Sequence, residues 1–385
     1  MTAGTGKAST RPRARQASPG ASRRAILVLL ACVALGGPAF AADDPNAPWP
    51  WPVPVDPPQI TATFMEARSG GYHTGLDIRT MGRTGLPVRT PRGGSVVRVR
   101  VSPEGYGKAV YLAVGGGRTL VFAHLLAFAD PIQELITVRQ AATREYAQQV
   151  YLEPGELEFE AGDVIALSGD TGTGAPHLHL EVRDGDVPIN PIDFFDVPDR
   201  EPPVIRGLRV VPIAPASASR STAAFFPTAA SHGDTVDVVG TAGLRVEVEE
   251  RTGLNRFGLL PRRVTLELVD GARYEVDFGR VAFGERWQRG LVAEWHDGRR
   301  WINLFRRPGL THLDDSAGDG RLEVEGLVPV VVRVEDHRGQ TAATRIVLRG
   351  PRGRAALRNR AVWRDRKSTR LNSSHTHLSR MPSSA

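Results

Sequence analysis

Four short segments hold the side chains able to do chemistry. One is Pro176-His177-Leu178-His179-Leu180. Alternate residues of a strand share a face, so His177 and His179 project together while Leu178, Leu180 and Val182 point into a core. Taken alone, the pair fits a metal site or two surface histidines. A second segment, His73-Thr74-Gly75-Leu76-Asp77, offers another imidazole and a carboxylate. A fully extended chain would hold these two roughly 13 Å apart at about 3.3 Å per residue. Ligands of one zinc ion must sit far closer, since its bonds to His and Asp are about 2.0–2.2 Å. The segment must then bend, and Gly75 permits that. Two imidazoles and one carboxylate leave a fourth tetrahedral position open, the mark of a catalytic rather than a structural zinc site. A buried histidine beside a turn-forming aspartate is the alternative for this segment by itself. The other two segments are Phe122-Ala123-His124-Leu125 and the turn Ser168-Gly169-Asp170-Thr171-Gly172. The sequence lacks H-E-x-x-H, a G-x-S-x-G elbow and a phosphate-binding G-x-x-x-x-G-K-[ST] loop. His232, His296, His312 and His337 are scattered and read as surface residues.

Strands must position these groups. Val97, Val99 and Val101 alternate with Arg98 and Arg100, a half-buried strand. Residues 108–114 and 119–123 read as the next two strands, joined at Gly115-Gly116-Gly117. Strands resume at 164–167 and 177–182. Between them, 131–150 places Ile132, Leu135, Ile136, Ala142, Tyr146 and Val150 at helical spacing, which predicts a helix. Fifty-two residues separate His124 from His177, and an amphipathic helix entering straight from the His124 strand is expected to pack beside the site as a wall or lid, with docking on the far side of the sheet as the alternative. Beyond a boundary at Asp199-Arg200-Glu201-Pro202-Pro203 the alternation is again β, as in Leu244, Val246, Val248 and in Val264, Leu266, Leu268. Strands at 330–335 and 344–348 flank a turn at His337-Arg338-Gly339, and the set suggests an immunoglobulin-like sandwich.

The four segments, in their order, resemble the LytM/lysostaphin-type zinc metalloendopeptidases. Gly105-Tyr106-Gly107, the Ser-Gly-Asp-Thr-Gly turn and Ile189-Asn190-Pro191 add to the likeness, which covers about residues 60–196. The resemblance implies a mainly β chain. An antiparallel peptidase domain of the duplicated-hybrid-motif type occupies 60–198, with a helical insertion at about 129–152. Outside the resemblance, the strand alternation places an immunoglobulin-like β-sandwich, expected to be truncated, at 199–351. The resemblance further implies one zinc ion per catalytic domain, held by His73, Asp77 and His179, with His124 and His177 as the catalytic pair. All five residues are present. A tyrosine that some members place six residues before the first ligand is Ala67 here, and Tyr72 is no equivalent. That leaves oxyanion stabilisation to a histidine or to zinc. Glu181 shares the strand face of His179 and reads as a solvated rim carboxylate in preference to a support for that ring. The implied activity is hydrolysis of peptide cross-links or stem peptides of bacterial peptidoglycan. A non-catalytic module that binds the wall or activates another hydrolase is the alternative. An envelope regulator could dock on the helical insertion or the C-terminal domain.

Charge and the chain ends fit export. The formal net charge is +7. Residues 1–41 contribute six Lys/Arg and no acid, and residues 365–385 contribute four and one, which leaves 39 basic against 41 acidic residues in 42–364. The basic excess thus sits in the ends, and no nucleic-acid partner is expected. Basic residues through Arg24, an apolar run over 25–35 and Ala39-Phe40-Ala41 form an export signal spanning 1–41. The run is too short for a permanent transmembrane anchor. The expected location is therefore the periplasm or cell envelope. Lipid attachment at Cys32, the only cysteine, is disfavoured because the apolar run continues past it. Residues 42–59 are a Pro/Trp-rich lead-in of extended character. Residues 365–375, DRKSTRLNSSH, match a translated sequencing adapter, so 365–385 is read as an artefact tail.

Overall fold

The computed structural model describes residues 47–197, 199, 201–213, 228–238, 240–250, 259–296, 298–311 and 318–350. The export signal, Cys32, His312 and the tail lie outside them. Within 47–197 the elements run β1 (Ile60–Ala62), β2 (Ala67–Arg68), β3 (Gly71–Tyr72), β4 (Leu76–Arg79), β5 (Pro87–Arg89), β6 (Gly94–Val101), β7 (Lys108–Val114), β8 (Arg118–Ala123) and β9 (Leu125–Phe128). Then come α1 (Asp130–Thr143), β10 (Gln148–Tyr151), β11 (Glu158–Phe159), β12 (Val164–Ser168), β13 (His177–Asp184) and β14 (Val187–Ile189). Among the described residues, an antiparallel sheet runs β1-β4-β13-β8-β7-β6-β10, in which only β6, β7 and β8 are neighbours in both sequence and space, with β11 on β6 and β14 on β13. A smaller sheet, β5-β12-β9, packs against it through Val88, Leu125, Phe128 and Ile165, which share one core with Leu76, Ile78, Val99, Phe122 and Leu178.

The alternation read in β6 holds with one change. A bulge between Val96 and Arg98 shifts the register against β7, so that Val96, Val99 and Val101 reach the main core. Val97 packs instead with Ala109, Tyr111 and Val121 on the other face. The lead-in is more than a linker. Trp49 stacks on Phe194 with ring centres 4.5 Å apart, and Val53 and Val55 are buried in the same core.

The helix is shorter than its periodicity predicts. It starts with Pro131 in the first turn, buries Ile132 and Ile136 one turn apart, and ends at Arg144 in a left-handed conformation. Tyr146 is exposed, and Val150 lies in β10 opposite Val99 of β6. Pairing with the open edge of β6 overrides helical spacing there. The helix contacts mainly β9 and β10. Ile132 and Ile136 enter the core that holds Leu178 and Leu180, the face of β13 opposite His177 and His179, so α1 packs on the far side of the sheet and does not wall the site. The expectation of a lid is corrected: β9 carries the chain away from His124 into the smaller sheet before the helix begins.

The following region holds β15 (Val204–Pro212), β16 (Thr228–Ala230), β17 (Thr235–Asp237), β18 (Thr241–Glu249), β19 (Arg263–Leu268), β20 (Arg273–Asp277), β21 (Ala293–His296), β22 (Arg299–Asn303), β23 (Leu322–Glu323), β24 (Leu327–Glu335) and β25 (Thr341–Arg349). They form the sheets β16-β15-β18-β22-β21, with β23 on β18, and β17-β25-β24-β19-β20. All described pairs are antiparallel except β17 with β25. Leu244 and Val246 of one sheet share a core with Val264, Leu266, Val332 and Ile346 of the other. Phe64, Met65 and Tyr72, from around the β2–β3 hairpin, are buried in that same core. His337 departs from its surface reading. Its Nε2–H donates to the Leu260 carbonyl at 3.1 Å, its Nδ1 is buried without a partner, and burial pushes its pKa down to about 4.

Candidate metal and catalytic site

Strand pairing brings the separate segments together. In the β4–β13 ladder Asp77 lies directly opposite His179, and in the β8–β13 ladder Ala123, next to His124, also lies opposite His179. The alternation of β13 puts His177, His179 and Glu181 on one face and Leu178, Leu180 and Val182 in the core. His73 precedes β4 and is tied to the 65–66 segment by its backbone: its N–H donates to Glu66 and its carbonyl accepts from Met65. Gly75 matters for closeness as well as bending. A Cβ there would lie 2.5 Å from the Leu180 carbonyl oxygen and 2.8 Å from Cε1 of His179.

Three donor atoms converge. His73 Nε2, Asp77 Oδ1 and His179 Nδ1 form a triangle with sides of 3.0, 2.9 and 3.0 Å, and all three residues are buried. They form one of the two residue groups among the described residues able to hold a metal ion. The outer nitrogens decide whether the group fits. His73 Nδ1 lies 2.8 Å from the Thr63 carbonyl, and His179 Nε2 lies 3.2 Å from Oε1 of Glu181. Each outer N–H thus has an acceptor, which turns the lone pair of the inner nitrogen toward the other donors. Two such imidazoles and one carboxylate match a catalytic zinc donor set, and opening the triangle to tetrahedral edges of about 3.4 Å is a small adjustment.

The charges follow from burial set against partners. Burial alone would raise the pKa of Asp77, yet His73 and His179 hold its carboxyl well below the usual range. Burial disfavours a charged His179, but bonds to Asp77 and Glu181 push it up to about 9 in the metal-free chain. Glu181 is fully buried, which corrects its reading as a rim group. Burial works to raise it, while His179 and the Arg183 guanidinium hold it at about 2. Its Oε1 accepts from Thr74 Oγ1 at 2.5 Å and from the Tyr106 hydroxyl, and its Oε2 accepts from Arg183. Thr74, Tyr106 and Arg183 were not singled out for this role from sequence. Arg68 was missed too: its guanidinium pairs with Oδ2 of Asp77, the oxygen turned away from the imidazoles. Tyr72 is buried with Phe64 and Met65 in the second core.

His124 and His177 flank the triangle, their ring centres 4.7 Å apart. His124 holds φ near 60°, a left-handed conformation uncommon away from glycine and more frequent at functional positions. It falls where the chain leaves β8 for the smaller sheet. Nδ1 of His124 lies 2.9 Å from the Thr171 carbonyl, and Nδ1 of His177 lies 2.8 Å from the Ala175 carbonyl. Both rings thus donate from Nδ1 and keep an acceptor at Nε2. That of His177 is buried, has no hydrogen-bond partner and lies 3.6 Å from Oδ1 of Asp77. Burial lowers both pKa values, that of His124 to about 4, so both rings are neutral bases. The turn at 168–172 serves the site by supplying Thr171.

No family model matches the chain. Over 121 residues it is 31% identical to the DD-carboxypeptidase/endopeptidase Mpg of Neisseria meningitidis, covering 31% of this chain and 22% of that protein. Over 147 residues it is 28% identical to a lipoprotein NlpD/LppB homolog of Pseudomonas aeruginosa, covering 38% of this chain and 39% of that one. The chain thus spans between about a fifth and two fifths of the length of these relatives. Among solved structures, a zinc-containing peptidase from Vibrio cholerae aligns over 38% of this chain and 39% of that one, at 24% identity and a TM-score of 0.27. The chain is mainly β and resembles the LytM-type peptidases.

Proposed function

We propose that this chain is an exported zinc endopeptidase that hydrolyses peptide cross-links or stem peptides of peptidoglycan in the cell envelope. The observation that carries the reading is the convergence of His73, Asp77 and His179 beside two neutral histidines with accepting Nε2 atoms. Zinc bound there supplies a Lewis acid and a water whose pKa falls from 15.7 towards about 7. His177 takes the proton from the attacking water, since its buried Nε2 is an acceptor awaiting a donor. His177 then delivers that same proton to the leaving amine, and His124, held by Thr171 at Nδ1, stabilises the oxyanion once a solvent proton has charged its Nε2. Glu181 orients His179, and Thr74, Tyr106 and Arg183 hold Glu181 in turn. The relative named a carboxypeptidase/endopeptidase supports the substrate class. The division into a peptidase domain over 60–198 and an immunoglobulin-like domain over 199–351 is part of the same proposal. Pairing of β17 with the last strand β25 supports the second assignment. Among the described residues no helix is long and apolar enough to cross a membrane.

The test uses two variants of the purified protein. His179→Ala should lose zinc and activity together, because two ligands hold the ion poorly. His177→Ala should keep zinc and lose turnover by about 100-fold or more. Zinc content and mass spectrometry of fragments released from sacculi read both. Zinc loss in His177→Ala with retention in His179→Ala would reverse the assignment. A zinc-loaded wild-type protein that releases no fragments would favour the binding or activating module.

A further inference from the structure

A second cluster of acidic side chains lies away from the histidines. Asp199 follows the 3₁₀ turn Pro191–Phe194 in the connection to β15, Glu250 follows β18, and Asp336 opens the β24–β25 turn. Three segments distant in sequence thus meet. One carboxylate oxygen from each lies within 4.8 Å of the others, and the residues are 5%, 0% and 1% exposed. Like charges so placed repel, and buried carboxylates are normally paired with a cation or bound to a metal. Arg338 is a base near Asp199, but its Nη1 donates to Oδ1 of Asp196 and to the Val197 carbonyl, both at 2.6 Å. Asp336 is fixed by its own turn: Oδ1 accepts from the backbone of Arg338 and Gln340, and Oδ2 accepts from Gln340 Nε2, all at 2.8 Å.

Asp199 supplies the independent observation. Its Oδ1 accepts from the Glu201 N–H at 3.1 Å. Its Oδ2 is buried and has no hydrogen-bond partner among the described residues. Such an oxygen in a carboxylate cluster lacks the group that would offset its desolvation. We propose that Asp199, Glu250 and Asp336 form a calcium site that clamps the connection before β15 onto the following sheets. The donor chemistry selects the ion. Oxygen-only ligands suit a hard cation, whereas imidazoles at the first site suit zinc. Calcium–oxygen bonds of about 2.3–2.6 Å let donors stand up to about 5 Å apart across the ion and tolerate irregular geometry. Magnesium needs bonds near 2.0–2.1 Å in a close octahedron and keeps its waters, which a buried cluster resists. Burial and the neighbouring Asp336 charge raise the pKa of Asp199, in keeping with a carboxyl that lacks its counter-ion.

The test is calcium binding by zinc-loaded full-length protein. Titration calorimetry should find one calcium ion per chain. Saturating calcium should raise the melting temperature by roughly 5–10 °C, with magnesium giving much less. Asp199→Asn keeps the Oδ1 acceptor for the Glu201 N–H, so the turn stays folded while a charged ligand is lost. That variant should bind calcium at least tenfold more weakly and lose most of the thermal shift, while zinc content stays at the wild-type level. His179→Ala should keep the calcium response and lose zinc. Wild-type protein that shows neither heat nor thermal shift with calcium overturns the proposal. So does a response that magnesium reproduces in full, or one that survives in Asp199→Asn.

Discussion

At the residue scale, the site depends on contacts much closer than side-chain identity alone requires. Gly75 is the sharpest case. An added Cβ would meet the Leu180 carbonyl at 2.5 Å and the His179 ring at 2.8 Å, and the carbonyl belongs to a central strand that cannot retreat. Gly75→Ala should therefore displace His179, lose zinc and lower activity by about 100-fold or more, as a 1 Å misplacement is known to do. Zinc content, with circular dichroism to confirm folding, reads the outcome; a zinc-replete and active variant would show that the strands yield. Glu181→Gln is a milder test. It keeps the shape but weakens the acceptor for His179 Nε2, so zinc affinity should drop about 10–100-fold, as for other partners of metal-bound histidines. Competition with a chromophoric chelator measures it, and unchanged affinity would remove Glu181 from the support of the ring. Four of the five candidate residues were legible because H-x-H and H-x-x-x-D are local patterns, whereas His124, alone in Ala123-His124-Leu125, was marked only by the resemblance. Glu181 was visible on the right strand face, but its burial was not. Thr74 and Tyr106, which cover it, come from 107 and 75 residues away, and one sequence does not show that they meet.

At the element scale, period-2 alternation predicted most strands that carry the site, and it failed where pairing competes with local pattern. The range 108–114 was read as it stands, whereas the β6 bulge moved the core role from Val97 to Val96. The segment 144–150 looked helical because Tyr146 and Val150 continue a 3.6-residue spacing, yet an open edge on β6 offers it backbone partners. The same geometry gives α1 a structural task. Ile132 and Ile136 are 0% and 2% exposed and join the core shared by both sheets. Ile136→Ala should cost about 2–5 kcal/mol of stability. It should leave kcat/KM and peptide selectivity near wild type, because Ile136 packs into the core on the face of β13 opposite His177 and His179. Chemical denaturation and cleavage of two peptides of different size measure the two effects. A selectivity change at unchanged stability would restore the lid reading.

At the scale of the whole molecule, the segment that carries His73 and Asp77 is built into both cores. Thr63 shows how. Its carbonyl accepts from His73 Nδ1, while its hydroxyl accepts from the Leu260 N–H and donates to Glu66. Leu260 in turn accepts from His337. His73, a candidate ligand, is thus two hydrogen bonds from the region beyond 199. Packing follows the same line, since Phe64, Met65 and Tyr72 are 0%, 1% and 5% exposed within the second core. Sequence alternation could show that each region has a core of its own, but not that the hairpin between His73 and the lead-in is buried in the other one. Each of these side chains contributes about 1.5–3 kcal/mol by burial, together a large part of an ordinary stability of about 5–15 kcal/mol. The two regions should therefore unfold together, in one calorimetric transition whose measured and van't Hoff enthalpies agree. Tyr72→Ala should lower that single transition by about 3–5 kcal/mol of stability. It should also weaken zinc retention, although Tyr72 touches no ligand, because the residue next to His73 loses its anchor. Two separate transitions, with Tyr72→Ala shifting only one and leaving zinc affinity unchanged, would show that the hairpin crosses between the cores without coupling them.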